Sequence, residues 1–214
     1  MVQERNSLNT MDLEHVCSRA KSLIRETGKY IKNQRQGFSE EFVETKSLNS
    51  LVSFVDKEAE KMLVSGLEKI VPEAGFITEE GTSSKTSQSL YWVIDPLDGT
   101  TNFIHGIPLF SISVALTRDG FPIIGIVYEI NLDECFYAWE ESPAYLNDSE
   151  IHVTATKDLG NTLLATGFPY HDFERMPGFM DSLSYFMKNT RGLRRLGSAA
   201  VDLAYVACGR FDGF

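Results

Sequence analysis

Apolar residues recur along the first part of the chain at helical spacing. Leu13, Val16, Cys17, Ala20, Leu23, Ile24, Thr27 and Ile31 fall on one face and predict an amphipathic helix over residues 9–34. Asn9 or Thr10 would cap it, Asp12 and Glu14 suit its positive end, and Lys29, Lys32 and Arg35 suit its negative end. Gly37 would stop it. Residues 45–53 read as a loop or short strand with Lys46 as the one basic residue. A second helix then runs from Val55 to Ile70, with Ala59, Met62, Leu63, Leu67 and Ile70 inward and Asp56, Lys57, Glu58, Glu60 and Lys61 outward. Pro72 ends it.

From Ala74 onward the period shortens to two. Gly75–Thr78 is a short strand delivering Glu79-Glu80, and the polar stretch from Thr82 to Ser89 reads as a mobile loop. Trp92–Ile94 ends a buried strand. Phe110–Thr117, Pro122–Ile130, Cys135–Trp139 and Ile151–Val153 alternate with turn signals at Arg118-Asp119-Gly120, Asn131–Asp133 and Tyr145–Asp148, the pattern of an antiparallel meander. Leu163–Gly167 and Leu193–Leu196 read as strands and Pro177–Asn189 as a helix. Gly197-Ser198-Ala199-Ala200 opens a last helix ending near Gly209. Two parts are expected: residues 1–155, a helix pair with an antiparallel sheet, and residues 156–214, an incomplete α/β part. The class is α+β.

Composition narrows the function. Hydrophobic residues make up 43% and charged residues 23%, ordinary for a globular protein. A formal net charge of −10 argues against nucleic acid or anionic membrane as the main partner, since Lys and Arg drive both. Cys17, Cys135 and Cys208 are odd in number and widely spaced, which reads as buried reduced thiols rather than a disulfide framework. Neither a signal-peptide core nor a run of 18 apolar residues is present, so a cytoplasmic protein is expected. There is no G-x-G-x-x-G, G-x-x-x-x-G-K or G-x-S-x-G, and His105 stands alone.

Chemistry concentrates in Trp92-Val93-Ile94-Asp95-Pro96-Leu97-Asp98-Gly99-Thr100-Thr101-Asn102-Phe103. Pro96 is expected to stop the strand ladder, and Asp98-Gly99 to turn tightly. Asp-Pro and Asp-Gly pairs are ordinary turn formers. Here, however, two carboxylates three residues apart are followed by Gly and two Thr, so oxygen ligands for a hard cation adjoin N–H donors for an anion. Hydrolysis of a phosphate monoester needs those parts: carboxylates to hold metal (Glu79, Asp95, Asp98), a group to orient water (Thr100), and N–H donors for phosphoryl oxygens (Gly99–Thr101).

The same stretch closely resembles the signature of the inositol monophosphatases, within the magnesium-dependent, lithium-sensitive phosphatases. The resemblance extends from about Lys46 to Phe214 and implies a layered αβαβα fold with antiparallel and mixed sheets. It implies Mg²⁺-dependent hydrolysis of inositol monophosphate or a similar polyol phosphate, with two or three ions, and a homodimer. Glu79, in Phe76-Ile77-Thr78-Glu79-Glu80, would bind metal and help activate water; Asp95 would bridge metals, and Leu97 would lend its carbonyl. Asp98 would bind metal and substrate. Thr100 would position the nucleophilic water, with Gly99, Thr100 and Thr101 around the phosphate, and Ser198 and Ala199 would approach substrate hydroxyls. Ser50 stands where many members carry an aspartate for a further metal, so the third site would be weak or absent. The family's W-D-x-x-A-G motif is unmatched, and the chain reads as shortened at its C-terminus, which would leave part of a second sheet unmade and apolar surface open. Alternatives are a nucleotide 3′-phosphatase or sugar bisphosphatase of the same superfamily, a non-catalytic metal or phosphate binder, and a structural interaction module.

Overall fold

The structure is a computed structural model describing residues 12–36, 43–47, 50–87, 89–169 and 173–214. Asn9, Thr10 and Gly37 lie outside the described residues, as do the side chains of Lys46 and Ser50. Helix α1 (Leu13–Arg35) is capped by Asp12, whose carboxylate accepts from the His15 N–H at 3.0 Å. Thus the residue assigned to the helix's first turn is its cap, which satisfies an N–H that the helix cannot satisfy itself. A hairpin of β1 (Val43–Ser47) and β2 (Ser50–Ser53) leads into α2 (Phe54–Ile70).

Seven strands then form one mixed sheet in simple chain order: β3 (Gly75–Thr78), β4 (Leu90–Asp98), β5 (Ser111–Arg118), β6 (Phe121–Glu129), β7 (Glu134–Trp139), β8 (Ala144–Leu146) and β9 (Ser149–Ile151). The β3–β4 pair is parallel and the others are antiparallel. The predicted meander is therefore present, though β9 ends at Ile151 and leaves His152 and Val153 outside it. Asp119 (φ 52°) and Gly120 (φ 83°) turn β5 into β6, the two positive φ values suiting the twist of a tight hairpin. Between β4 and β5 sits α3 (Thr100–His105). After the sheet come β10 (Leu163–Ala165), α4 (Met176–Asn189), β11 (Gly192–Arg194), which pairs in parallel with β10, and α5 (Ala199–Ala207).

One face of the sheet is the main core. Leu90, Trp92 and Ile94 of β4, Ile112, Val114 and Leu116 of β5, and Ile124, Ile126 and Tyr128 of β6 point towards α1 and α2 and meet Ile24, Ile31, Leu63 and Leu67. On the opposite face Phe136 of β7 joins Ala165, Val201, Ala204, Tyr205 and Phe211 in a smaller cluster under α5. The Arg210 guanidinium holds Glu134 with two bonds of 2.5 Å and lies 4.5 Å from the Tyr205 ring centre, fixing the end of α5 to β7.

Four expectations are corrected. Asp56 and Glu60 are buried, not solvated: they share the inward face of α2 with Ala59 and Leu63, one turn apart. Pro96 does not end β4. The strand continues to Asp98, and pairing slips from Asp95–Ser113 to Asp98–Ser111, so the proline lies in a bulge carrying one extra residue. Cys17 and Cys135 are buried, with burial pushing their thiols up to about 12 and about 11, but Cys208 is only half-buried. The segment expected to be mobile after Glu80 is tethered: the Phe76 N–H donates to Lys85 O at 2.9 Å, and Lys85 Nζ reaches Glu68 at 3.0 Å.

Candidate active site

The site forms where β3 ends beside the bulge of β4. Their parallel pairing sets Thr78 beside Ile94, so Glu79, the first residue after β3, and Asp95, the next residue of β4, emerge together. Glu79 is exposed, Asp95 is half-buried, and their carboxyl groups make hydrogen-bond contact. Burial, followed by the charges of Glu79 and Asp98, pushes the Asp95 carboxyl well above the usual carboxylate range. The Leu97 N–H, donating at 3.0 Å, opposes this only in part. Two crowded carboxyls with oxygen donors alone suit a hard divalent cation, which would remove the repulsion between them.

The turn that carries them is supported by an acid whose charge alone predicts exposure. Glu60, fully buried in α2, accepts from the Glu80 N–H at 2.7 Å and the Thr82 N–H at 2.9 Å, so both carboxylate oxygens are used to shape the chain around Glu79. Asp56, one helical turn earlier, accepts from the Thr100 hydroxyl at 3.2 Å; Leu97 O is a second acceptor for that hydroxyl at 3.0 Å. With its single hydrogen shared between two acceptors, Thr100 Oγ1 keeps lone-pair capacity to accept from a third group. Spacing held the clue: Asp56, Ala59, Glu60 and Leu63 lie on one stripe. Charge alone had placed the two acids on the outer face.

Asp98 faces a different way. Its Oδ2 accepts from Ser198 Oγ at 2.6 Å and from the Ala200 N–H at 2.7 Å, at the start of α5. Ser198 caps α5, is fully buried, and also lies 3.0 Å from Ser111 Oγ, so its hydroxyl is occupied within the protein. Among the described residues, no three acidic, His or Cys groups stand close enough together to make a ready ion cage. Glu79 and Asp95 are brought together; Asp98 is near enough to act on Asp95 through its charge but is anchored to α5.

Gly99 (φ 96°) and Gly197 (φ 98°) let the two loops meet. A Cβ on Gly99 would sit 3.2 Å from Gly197 O, and one on Gly197 would sit 2.7 Å from the Asn102 amide. That amide, buried in α3, donates to Leu109 O at 2.7 Å and Leu196 O at 2.8 Å, pinning the α5 loop to α3. Asp202, on the first turns of α5, is 2% exposed, and its buried Oδ1 lacks a hydrogen-bond partner among the described residues. Burial and then the charge of Asp98 push its carboxyl up to about 6, against the Arg195 guanidinium.

The fold and site together define a layered α+β protein with an oxygen-donor acidic site beside the start of a short helix. Residues 12–214 match the model of the inositol monophosphatase family. An inositol-1-monophosphatase of Rhizobium meliloti is 39% identical over 98% of this chain and 76% of its own length. The Nus factor SuhB of Escherichia coli is 41% identical over 79% of this chain and 64% of its own. Among solved structures, the extragenic suppressor protein suhB of Bartonella henselae superposes with a TM-score of 0.84 at 35% identity, over 94% of this chain and 76% of that one. The IMPase of Thermotoga maritima gives 0.79 at 36%, over 89% and 71%. The chain belongs to the inositol monophosphatase family, a family of phosphoric monoester hydrolases. The alignments thus span about three quarters of the Rhizobium relative and a little under two thirds of the Escherichia one. Among the described residues no helix is long and apolar enough to cross a membrane.

Proposed function

We propose that this protein is a Mg²⁺-dependent phosphomonoesterase acting on inositol monophosphate or a similar polyol phosphate. The observation that carries this reading is the meeting of Glu79 and Asp95 beside Thr100, whose hydroxyl is directed by Asp56. Glu79 and Asp95 would hold the cation, with the Leu97 carbonyl and Asp98 at its margin. When bound, Mg²⁺ supplies charge neutralisation of the phosphate and a more acidic water.

The chain's own groups do the rest. Thr100 Oγ1 accepts a hydrogen from the attacking water and so aims an oxygen lone pair at phosphorus. Its own hydrogen is directed to Asp56 or the Leu97 carbonyl, and Glu79 completes the water's orientation. The N–H groups of Gly99, Thr100 and Thr101 face the phosphoryl oxygens, where negative charge is held in the transition state. Asp98, fixed by Ser198 and Ala200, offers its remaining oxygen to a substrate hydroxyl, and the backbone at Ala199 lies alongside. Ser198 then acts through Asp98 rather than on substrate.

Phosphate release from inositol 1-phosphate, fructose 1,6-bisphosphate and adenosine 3′,5′-bisphosphate, with and without Mg²⁺, tests the reading. Metal-dependent release from inositol 1-phosphate in preference to the other two is expected. Asp95→Asn should lower it on the order of 10²–10³-fold with the fold intact. Equal turnover in that variant, or release indifferent to Mg²⁺, would sink it.

A further inference from the structure

Away from the acidic site, α1 and the β6–β7 turn enclose a surface cavity of about 270 Å³, lined by Arg25, Gly28, Lys29, Lys32, Tyr128, Ile130 and Asp133. It shares no residue with the site above. Its floor is bare because Gly28 lies against the Tyr128 ring: a Cβ there would come within 2.5 Å of the ring and 3.4 Å of Ile130. A glycine inside a helix costs about 1 kcal/mol relative to alanine, so this close approach has a structural cost.

The cavity's charges do not cancel. Asp133 is the one acid in its lining, and Arg25, at 2.5 Å, matches its charge, with the Tyr128 hydroxyl donating to the same oxygen at 2.9 Å. The other guanidinium nitrogen of Arg25 donates to Asn147 Oδ1 at 2.9 Å, which holds that side chain rigidly in the wall. Lys29 and Lys32 remain. Lys29 is exposed and has no hydrogen-bond or ion-pair partner among the described residues, and Lys32 reaches only the Asn131 carbonyl, at 3.3 Å. Three residues apart on one helix, the two ammonium groups are neighbours of like charge, a mildly unfavourable arrangement that an anion between them reverses. In a chain of net charge −10, this is a local surplus of positive charge around a formed cavity.

We propose that this cavity binds a small, multiply charged oxyanion, of the phosphate or polycarboxylate kind, with Lys29 and Lys32 contacting the anion over the Gly28–Tyr128 floor. The proposal is independent of catalysis at the acidic site. Binding is tested on the full 214-residue chain stripped of divalent ions over a chelating resin, with no soluble chelator present, so that no divalent ion draws an anion to Glu79 and Asp95 and no added polycarboxylate competes for the cavity. Pyrophosphate and citrate are titrated separately at matched ionic strength, and amide resonances of Gly28, Ile130 and Leu132 are followed. Saturating shifts are expected at millimolar anion, and whichever probe saturates first names the phosphate or the carboxylate class. Lys29→Gln with Lys32→Gln should weaken binding by roughly tenfold or more, as two charge-assisted contacts are lost, while Lys29→Arg with Lys32→Arg should retain it. Linear shifts no larger than those from chloride, or saturation unchanged in the Gln pair, would overturn the proposal.

Discussion

Trp92 and Val93 are neighbours in β4 and occupy opposite surroundings. Trp92 is fully buried under α1 and α2, whereas Val93 is 36% exposed on the other face. The register places Val93 in a row with Ile77, Ala115, Gly125 and Ala138 across β3 to β7. Ile77, at 55% exposure, is the most open large residue of that row. One face of the sheet is therefore a close-packed support, and the other is open at its β3–β4 end, where Glu79 and Asp95 emerge. The core face holds the strands rigid, and that leaves their ends free to carry crowded charge.

The largest expected effect is on the packed face. Trp92→Ala should cost about 3–5 kcal/mol, measured by denaturant unfolding, because it opens a large cavity that α2 cannot fill. Stability unchanged within error would mean that the two faces are not distinct. Next is the link between them. Asp56→Asn should reduce phosphate release by roughly 10²-fold, with the unfolding midpoint little changed, since Thr100 loses a carboxylate acceptor but retains the Leu97 carbonyl. A fall in stability with turnover preserved would make Asp56 structural only.

Asp202 gives a smaller, pH-dependent effect. Its carboxyl titrates at about 6 in the folded chain against 3.8 for an ordinary aspartate. The folded state therefore binds more protons between those values, and stability falls as pH rises from about 4 to about 6. Asp202→Asn removes that loss, so the variant should gain about 1–3 kcal/mol over the parent above pH 6 and converge with it near pH 4, read by thermal melts in EDTA. A difference independent of pH would refute the burial argument. Smallest of all, Val93→Thr should change stability by no more than about 0.5 kcal/mol. A loss near that of Trp92→Ala would show that the open face is covered in solution.

Much of the fold was legible. The stripe of α1, the alternation of β5 to β7 and the turn at Asp119-Gly120 each follow from a local period or a positive φ, and these need no knowledge of distant residues. Of the candidate site, the stretch from Asp95 to Thr101 is contiguous, and the strand leading to Glu79 follows from its local pattern. The burial of Asp56 and Glu60 was not legible from charge, which predicts exposure, although their spacing places them on the inward stripe of α2. Their burial depends on partners 44 and 20 or 22 positions away, the Thr100 hydroxyl and the Glu80 and Thr82 N–H groups. The bulge at Pro96 likewise depends on the register against β5, a second strand that a local reading of proline does not include.

The main helices and strands, the position of the acidic turn and the resemblance to the family follow from the chain's own local pattern. Each is written in contiguous residues and short periods. Which acids face inward, the anchoring of Asp98 by Ser198 and Ala200, and the lack of an acidic partner for Lys29 and Lys32 among the described residues emerge only in the folded chain. Those outcomes depend on desolvation and on which groups distant segments bring within hydrogen-bond distance, and no local pattern encodes either.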